Sequence, residues 1–263
     1  MFLSIITINR NNAEGLKKTL DSVAAQTCRD FEHIIIDGAS TDTSVEVIKD
    51  YIESPAGKNV SYWVSEPDSG VYNAMNKGIK KASGDYCLFL NSGDWLIDKN
   101  VIKKEQQGSH TEDIIYFDYL TIRKNKTEIV KLPDILFDST FLLGPLINHQ
   151  NEFIKTMLLK ENPYNEKLKI LADNEFNVKM IKRNNVSYKH YSYPISCYEA
   201  YNGISSKQKV LAFKEYKQVC IEYFGEDCYE KYALLRDYET GYWGILKKMR
   251  LLLNFIAKKT TRR

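Results

Sequence analysis

A chain of 263 residues, 43% hydrophobic and 27% charged, can bury one sizeable core beneath a well-solvated surface. A formal net charge of +3 is too mild for nucleic acid as a general partner. The five cysteines, Cys28, Cys87, Cys197, Cys220 and Cys228, form no C-x-x-C pair, which argues for a reducing, cytoplasmic setting rather than a disulfide scaffold.

Leu3–Ile8 reads as a buried strand at the very start, without the basic region of a leader peptide. No segment reaches the roughly 20 apolar residues that span a bilayer. Leu16, Leu20, Val23 and Ala24 then recur at helical spacing, with Asn12 as N-cap. Phe31–Ile36 is a second strand, ending in Asp37-Gly38. Thr43 and Glu46 have the spacing of a capping box before Val47, Ile48 and Tyr51. Val60–Ser65 is a third strand. Tyr72, Met75, Ile79 and Ala82 mark the buried stripe of the next helix, which Gly84 is placed to end, and Tyr86–Leu90 is the fourth strand. Strands alternating with helices predict an α/β fold with a mostly parallel sheet flanked by helices. Farther on, Ile114–Ile122 and Thr127–Leu132 read as a hairpin. Ala172–Lys182 reads as a helix, Val186–Lys189 as a short strand, and the chain from Ser205 onward as helical.

The chemistry gathers at strand ends. Asp37 closes the second strand, where a carboxylate can accept hydrogen bonds from a ribose or a base. The Gly-rich turn of a dinucleotide fold is missing, since Thr7-Ile8-Asn9-Arg10-Asn11-Asn12 stands in its place. The fourth strand empties onto Asn91-Ser92-Gly93-Asp94, an oxygen-rich turn suited to a hard divalent cation and the phosphates it carries. Asp173 opens the later helix, either as an N-cap or as a general base. His149 is a candidate phosphate or metal contact, whereas His33, alternating with apolar residues, is structural. Asn202-Gly203-Ile204-Ser205-Ser206 is either a helix cap or a loop closing over a phosphate.

These motifs, in this order, resemble the inverting nucleotide-sugar glycosyltransferases of family two, which have the GT-A fold, and within them the bacterial exopolysaccharide and O-antigen branch. The resemblance covers residues 1–206 and is carried by SIITINRN, IIIDGASTD, SEPDSGVYNAMNKGIKKASGD, FLNSGDWL, NHQ, LADNEF and NGISS. It implies a Rossmann-like catalytic domain over 1–206 and a helical C-terminal extension over 207–263. It implies that Asp37 contacts the nucleotide base and that Thr7, Asn9, Arg10, Glu66, Asp68, Asn91 and Ser92 complete the nucleotide site. Mg²⁺ or Mn²⁺ would sit at Asp94, with His149 as a further ligand, and Asp173 would be the base. The implied partners are a UDP-sugar donor and a glycan or lipid-linked saccharide acceptor in surface polysaccharide synthesis. Asn91 and Gly93 stand where many relatives carry aspartates, which thins the acidic motif. That departure keeps a second reading open, a catalytically degenerate nucleotide-sugar-binding subunit supporting a partner transferase.

The tail sets Tyr242, Ile245, Leu246, Met249, Leu252, Leu253 and Ile256 on one helical face, with Lys247, Lys248, Arg250, Lys258 and Lys259 around it. Such a helix fits peripheral attachment to the inner face of the cytoplasmic membrane. It equally fits packing on its own domain or on a second copy in a homo-oligomer.

Overall fold

In the computed structural model, which describes residues 1–123, 126–136, 141–142, 147–183, 186–200, 207–231 and 233, the opening apolar run is β1 (Leu3–Asn9), buried throughout. A strand buried on both faces needs a cover on each, and successive crossovers supply them. β2 (Phe31–Asp37), β3 (Val60–Ser65) and β4 (Tyr86–Phe89) join β1 in the parallel order β3-β2-β1-β4. The crossovers are α1 (Ala13–Ala24), α2 (Ser44–Glu53) and α3 (Val71–Lys81). Leu16, Leu20, Ile48 and Tyr51 pack with Ile35 in one cluster. Tyr72, Met75 and Ile79 pack with Ile6, Ile34 and Phe89 in another.

Beyond β4 the elements are β5 (Trp95–Leu96), α4 (Val101–Gln107), β6 (Ile114–Arg123), β7 (Lys126–Val130) and β8 (Glu152–Lys155). They are followed by α5 (Thr156–Glu161), α6 (Ala172–Arg183), β9 (Tyr188–Glu199) and α7 (Lys209–Phe224). The sheet continues β4-β8-β6-β9-β5, with β7 hanging from β6. β8 runs antiparallel to β4 and β6, while β6 and β9 are parallel. The sheet is thus parallel through β4 and mixed afterwards. The expected hairpin is β6-β7, and the expected helix at 172–182 is α6. β9 is far longer than the strand expected at 186–189. Its sequence, broken by Pro194, has no regular alternation, and pairing with β6 on one side and β5 on the other makes it a strand.

Of three local expectations, one holds and two resolve differently. Asn12 caps α1 as expected, accepting from Gly15 N–H. Thr43 makes no side-chain cap on α2; Asp42 instead accepts from the N–H groups of Ser44 and Ala13, tying α2 to α1. Gly84 does not terminate α3 by a left-handed turn. A Cβ there would lie 2.7 Å from the backbone of Leu3 and Ser4, so glycine lets the chain run against β1.

The last described helix is not a loose appendage. Glu215, 5% exposed, reaches from α7 into the turn before α6. There it accepts the backbone N–H groups of Lys169, Ile170 and Leu171 at 2.7, 2.9 and 3.1 Å. Val219 joins the core cluster of Phe176 and Met180, and the Tyr223 hydroxyl donates to Glu175. The boundary expected at residue 206 therefore divides elements that share one core. The turn at 202–206 and the amphipathic segment 242–256 lie outside the described residues. Among the described residues no helix is long and apolar enough to cross a membrane.

Glu215→Ala leaves three N–H groups without their acceptor, and an unsatisfied buried donor costs about 1–3 kcal/mol. Chemical denaturation should show a loss of about 2–3 kcal/mol. A loss below about 0.5 kcal/mol, typical of a surface substitution, would mean that α7 is not part of the folded unit.

Candidate active site

β1, β2 and β4 end side by side, and their carboxyl ends carry the polar residues of the motifs. Asn9 lies opposite Asp37 in the register. The Asn9 amide donates to Asp37 Oδ1 at 2.8 Å, and Ser40 Oγ donates to the same oxygen at 2.6 Å. Ser40 N–H and Ser65 Oγ donate to Oδ2 at 2.9 and 2.7 Å. Burial works to raise the Asp37 pKa, but the donors from Ser40, Ser65 and Asn9 outweigh it and hold the carboxyl below its usual range. Asp37 is thus a fixed anion, fully buried at the end of β2.

Thr7, expected at the nucleotide site, lies within β1. It is fully buried, and its hydroxyl meets His33 Nε2 at 2.9 Å. Burial pushes His33 down to about 3, so this imidazole is neutral. The pair lies inside the sheet, Thr7 two residues before the end of β1 and His33 four before the end of β2. Arg10 remains largely exposed, 3.9 Å from the buried Asp68 carboxylate. A Cβ on Gly38 would stand 2.2 Å from Asp68 Oδ2, so a larger residue there would displace the Asp68 carboxylate. Glu66 pairs with Lys77 at 2.8 Å, and Lys77 also donates to Pro67 O, which braces the loop of residues 65–68.

The Asn91–Asp94 turn is held from below by α1. Thr19 Oγ1 donates to Asp94 O at 2.7 Å and accepts Gly93 N–H at 3.0 Å. The Asn12 amide donates to Ser92 O at 2.9 Å. Gly93 has φ 108°, a conformation that side chains other than glycine rarely adopt. The turn closes with Asn91 N–H on Asp94 Oδ2 at 3.1 Å. Asp94 thereby faces His149.

His149 joins the two parts of the site. Its Nε2 is 3.5 Å from Asp94 Oδ2, and its Nδ1 is 3.0 Å from Asp173 Oδ2. Burial opposes a charge on the ring, but hydrogen bonds to Asp173 and Asp94 and their negative charges prevail and raise it to about 10. His149 is therefore an imidazolium between two carboxylates, and Nε2 carries a proton. Asn91 faces that nitrogen at 2.8 Å. The amide orientation that presents Oδ1 to it supplies an acceptor and gives this oxygen a partner it otherwise lacks among the described residues.

Asp173, 4% exposed, does not act as the N-cap of α6. It lies in the first turn, where Oδ1 accepts from Asn174 N–H at 2.9 Å and is 2.9 Å from the Tyr72 hydroxyl. That hydroxyl is also 2.6 Å from Ile170 O, so its one proton alternates between two acceptors. Tyr72 had read only as part of the apolar stripe of α3. The stripe located its ring but gave no sign of where its hydroxyl ends.

Asp94 offers a carboxylate oxygen, and His149 offers Nε2 as a second ligand only once the proton held there is lost. Among the described residues no three His, Cys, Asp or Glu side chains converge as a metal cluster. The donor set suits a hard divalent ion whose remaining ligands are phosphate oxygens and water, and it would not form a closed structural site.

Residues 4–104 match the model of the family described as Glycosyl transferase family 2. The chain is a glycosyltransferase, with a family 2 domain at its N-terminal end. Its relatives include a PGL/p-HBAD biosynthesis glycosyltransferase of Mycobacterium bovis, 29% identical over 212 residues, covering 77% of this chain and 78% of that one. Among solved structures it is similar to TarS of S. aureus in complex with UDP-GlcNAc, with TM-score 0.66 and 18% identity, covering 92% of this chain and 74% of that one. It is also similar to glucosyl-3-phosphoglycerate synthase of Mycobacterium tuberculosis in complex with Mn²⁺ and UDP, with TM-score 0.57 and 13% identity, covering 85% and 80%. These structural likenesses establish a GT-A-like fold, in agreement with the α/β reading of the transferase's sequence.

The raised His149 pKa has a testable sign. Its charge stabilises the folded state fully below about 6.5, and that contribution is lost as pH rises towards about 10. In metal-free protein, His149→Gln should flatten the decline of Tm over this window. Parallel Tm curves for the two proteins would show that His149 is not charged.

Proposed function

We propose that the transferase moves a sugar from a nucleoside-diphosphate sugar, UDP-linked, to a hydroxyl of a glycan or lipid-linked saccharide, with inversion at the anomeric carbon. The observation that carries this reading is the Asp94–His149–Asp173 array. It brings the turn suited to a diphosphate within one imidazole of a buried carboxylate suited to be a base.

In this reading Asp37, with Asn9 and Ser40, receives the nucleoside, while Arg10, Glu66, Asp68, Asn91 and Ser92 border the donor. The acceptor oxygen attacks the anomeric carbon as the bond to the diphosphate oxygen breaks. The acceptor proton passes to Asp173, and the bonding pair leaves on the diphosphate. Tyr72 and His149 hold Asp173 in place, so its orientation is set before the acceptor arrives. A divalent ion, Mg²⁺ or Mn²⁺, would be held by Asp94 with His149 beside it and would neutralise charge on the departing diphosphate. The complexes of the two similar structures with UDP-GlcNAc, and with UDP and Mn²⁺, support the donor class and the ion.

The acceptor class draws support from the relative named for PGL/p-HBAD biosynthesis and from the exposed face of α7. There Val210, 87% exposed, stands among the exposed Lys207, Lys209 and Lys214. A basic face with an apolar tip suits an anionic membrane surface, where lipid-linked acceptors reside. The intact array also counts against a degenerate binding subunit.

Asp173→Asn should lower turnover by about 100-fold or more while nucleotide binding by calorimetry stays close to wild type. Asp94→Ala should instead weaken metal-dependent donor binding. Near-normal turnover in Asp173→Asn would remove Asp173 from the role of base.

A further inference from the structure

Glu152 opens β8 and is 1% exposed, and no salt bridge reaches it among the described residues. Its hydrogen bond comes from Asn177 on α6, whose Nδ2 donates to Oε2 at 3.0 Å. That bond fixes the orientation of the amide. Two buried oxygens are left without a partner, Glu152 Oε1 and Asn177 Oδ1, one on each of two groups already in contact. Both are acceptors while Glu152 is ionised, so neither can satisfy the other. A proton on Oε1 resolves both at once. The acid O–H then donates to the amide oxygen while the amide N–H donates to the other acid oxygen, closing a ring of two hydrogen bonds.

The surrounding charges favour the same form. Burial acts first and most strongly against a Glu152 anion, and Asp173 on α6 opposes it as well. The Asn177 bond and the charge of His149 act the other way, and the balance leaves the group raised to about 8. Tyr164, buried nearby and itself raised by burial and by Glu152 and Asp173, brings no charge.

We propose that Glu152 is a neutral carboxylic acid at neutral pH and, through its ring with Asn177, acts as a positioning residue for Asp173. Asn177 lies one helical turn beyond Asp173, so locking its amide to β8 fixes the rotation of α6 about its own axis. A neutral Glu152 also leaves Asp94 and Asp173 as the two carboxylates balanced against His149, where an ionised one would add a third. The effect on transfer rests on the reading of Asp173 as base. The protonation state does not.

Infrared difference spectroscopy on the full chain should show the C=O band of a protonated carboxylic acid at pH 7 in wild type. This band should fade near pH 8 and be missing in Glu152→Gln. Because the folded pKa lies above the ordinary 4.5, stability is lost as pH rises from that value through about 8. The Tm advantage of Glu152→Gln should widen over that window and then level off. Glu152→Ala should lower kcat about tenfold with donor KM within twofold, and Glu152→Gln should recover most of that loss. The wild-type decline of kcat near pH 8 should be absent from Glu152→Gln.

No band at pH 7, or a constant Tm gap, would mean that Glu152 is ionised and the ring does not exist. A band with unchanged kcat in Glu152→Ala would overturn the positioning role alone. Turnover surviving Asp173→Asn would strike the base assignment while leaving the band in place.

Discussion

Two carboxylates from elements far apart in the chain, Asp173 buried and Asp94 partly exposed, share one cation, and His149 is that cation. Asp94 hangs from the end of β4, while Asp173 sits on α6, and nothing in the backbone joins them directly. Removing either carboxylate from water without a partner would be costly, and placing both together would be worse. The imidazolium meets both with separate nitrogens. Its three-residue helical turn, 149–151, is pinned by Asn148 and Asn151, each side chain bonding the other's backbone. The active site is therefore organised by charge balance across the sheet as much as by the strand ends themselves.

The supports around this centre come from several elements. α1 holds the Asp94 turn through Thr19 and Asn12, and α3 sends the Tyr72 hydroxyl to Asp173. Behind α6, Glu152 of β8 meets Asn177, and Glu215 of α7 gathers the three N–H groups of the turn before the helix. Apart from the exposed Asn12 contact, these are buried or part-buried polar contacts with few alternative partners. Such contacts select one orientation more sharply than apolar packing, because a misplaced polar group is left unpaired. α6 is thus gripped before, at and after Asp173. This rigidity suits a base that must meet an acceptor oxygen at hydrogen-bond distance.

The first half of the fold was legible because each crossover carries its own period and its own punctuation. Leu16, Leu20 and Val23 mark one face of α1, and Asn12 marks its start. β9, β5 and β8 were not legible, since two are very short and the third lacks alternation; β8 pairs only once β4 and β6 flank it, and β9 only between β6 and β5. Site residues followed the same division. Asp37 and Asp94 could be singled out as strand-end acids, although each had an ordinary turn explanation. Thr7 was placed at the nucleotide site by the resemblance, and its hydrogen bond to His33 inside the sheet shows only in the fold. Tyr72, Glu152 and Glu215 gave no sequence signal, because an apolar stripe or a lone acid does not disclose its partner.

By itself the sequence determined the alternation of strands and helices, the acidic turns at the strand ends and, through the order of its motifs, the resemblance to a transferase family. These are properties of short segments, fixed by local spacing and backbone chemistry. The tertiary structure decided which of those acids face one another, that His149 carries a charge between two of them, and that α7 packs on the helix bearing Asp173. The physical reason is that charge state and hydrogen-bond partnership depend on groups distant in the chain but a few ångströms apart in space. Asp173 is 101 positions from Tyr72 in the chain, yet their side chains meet at 2.9 Å.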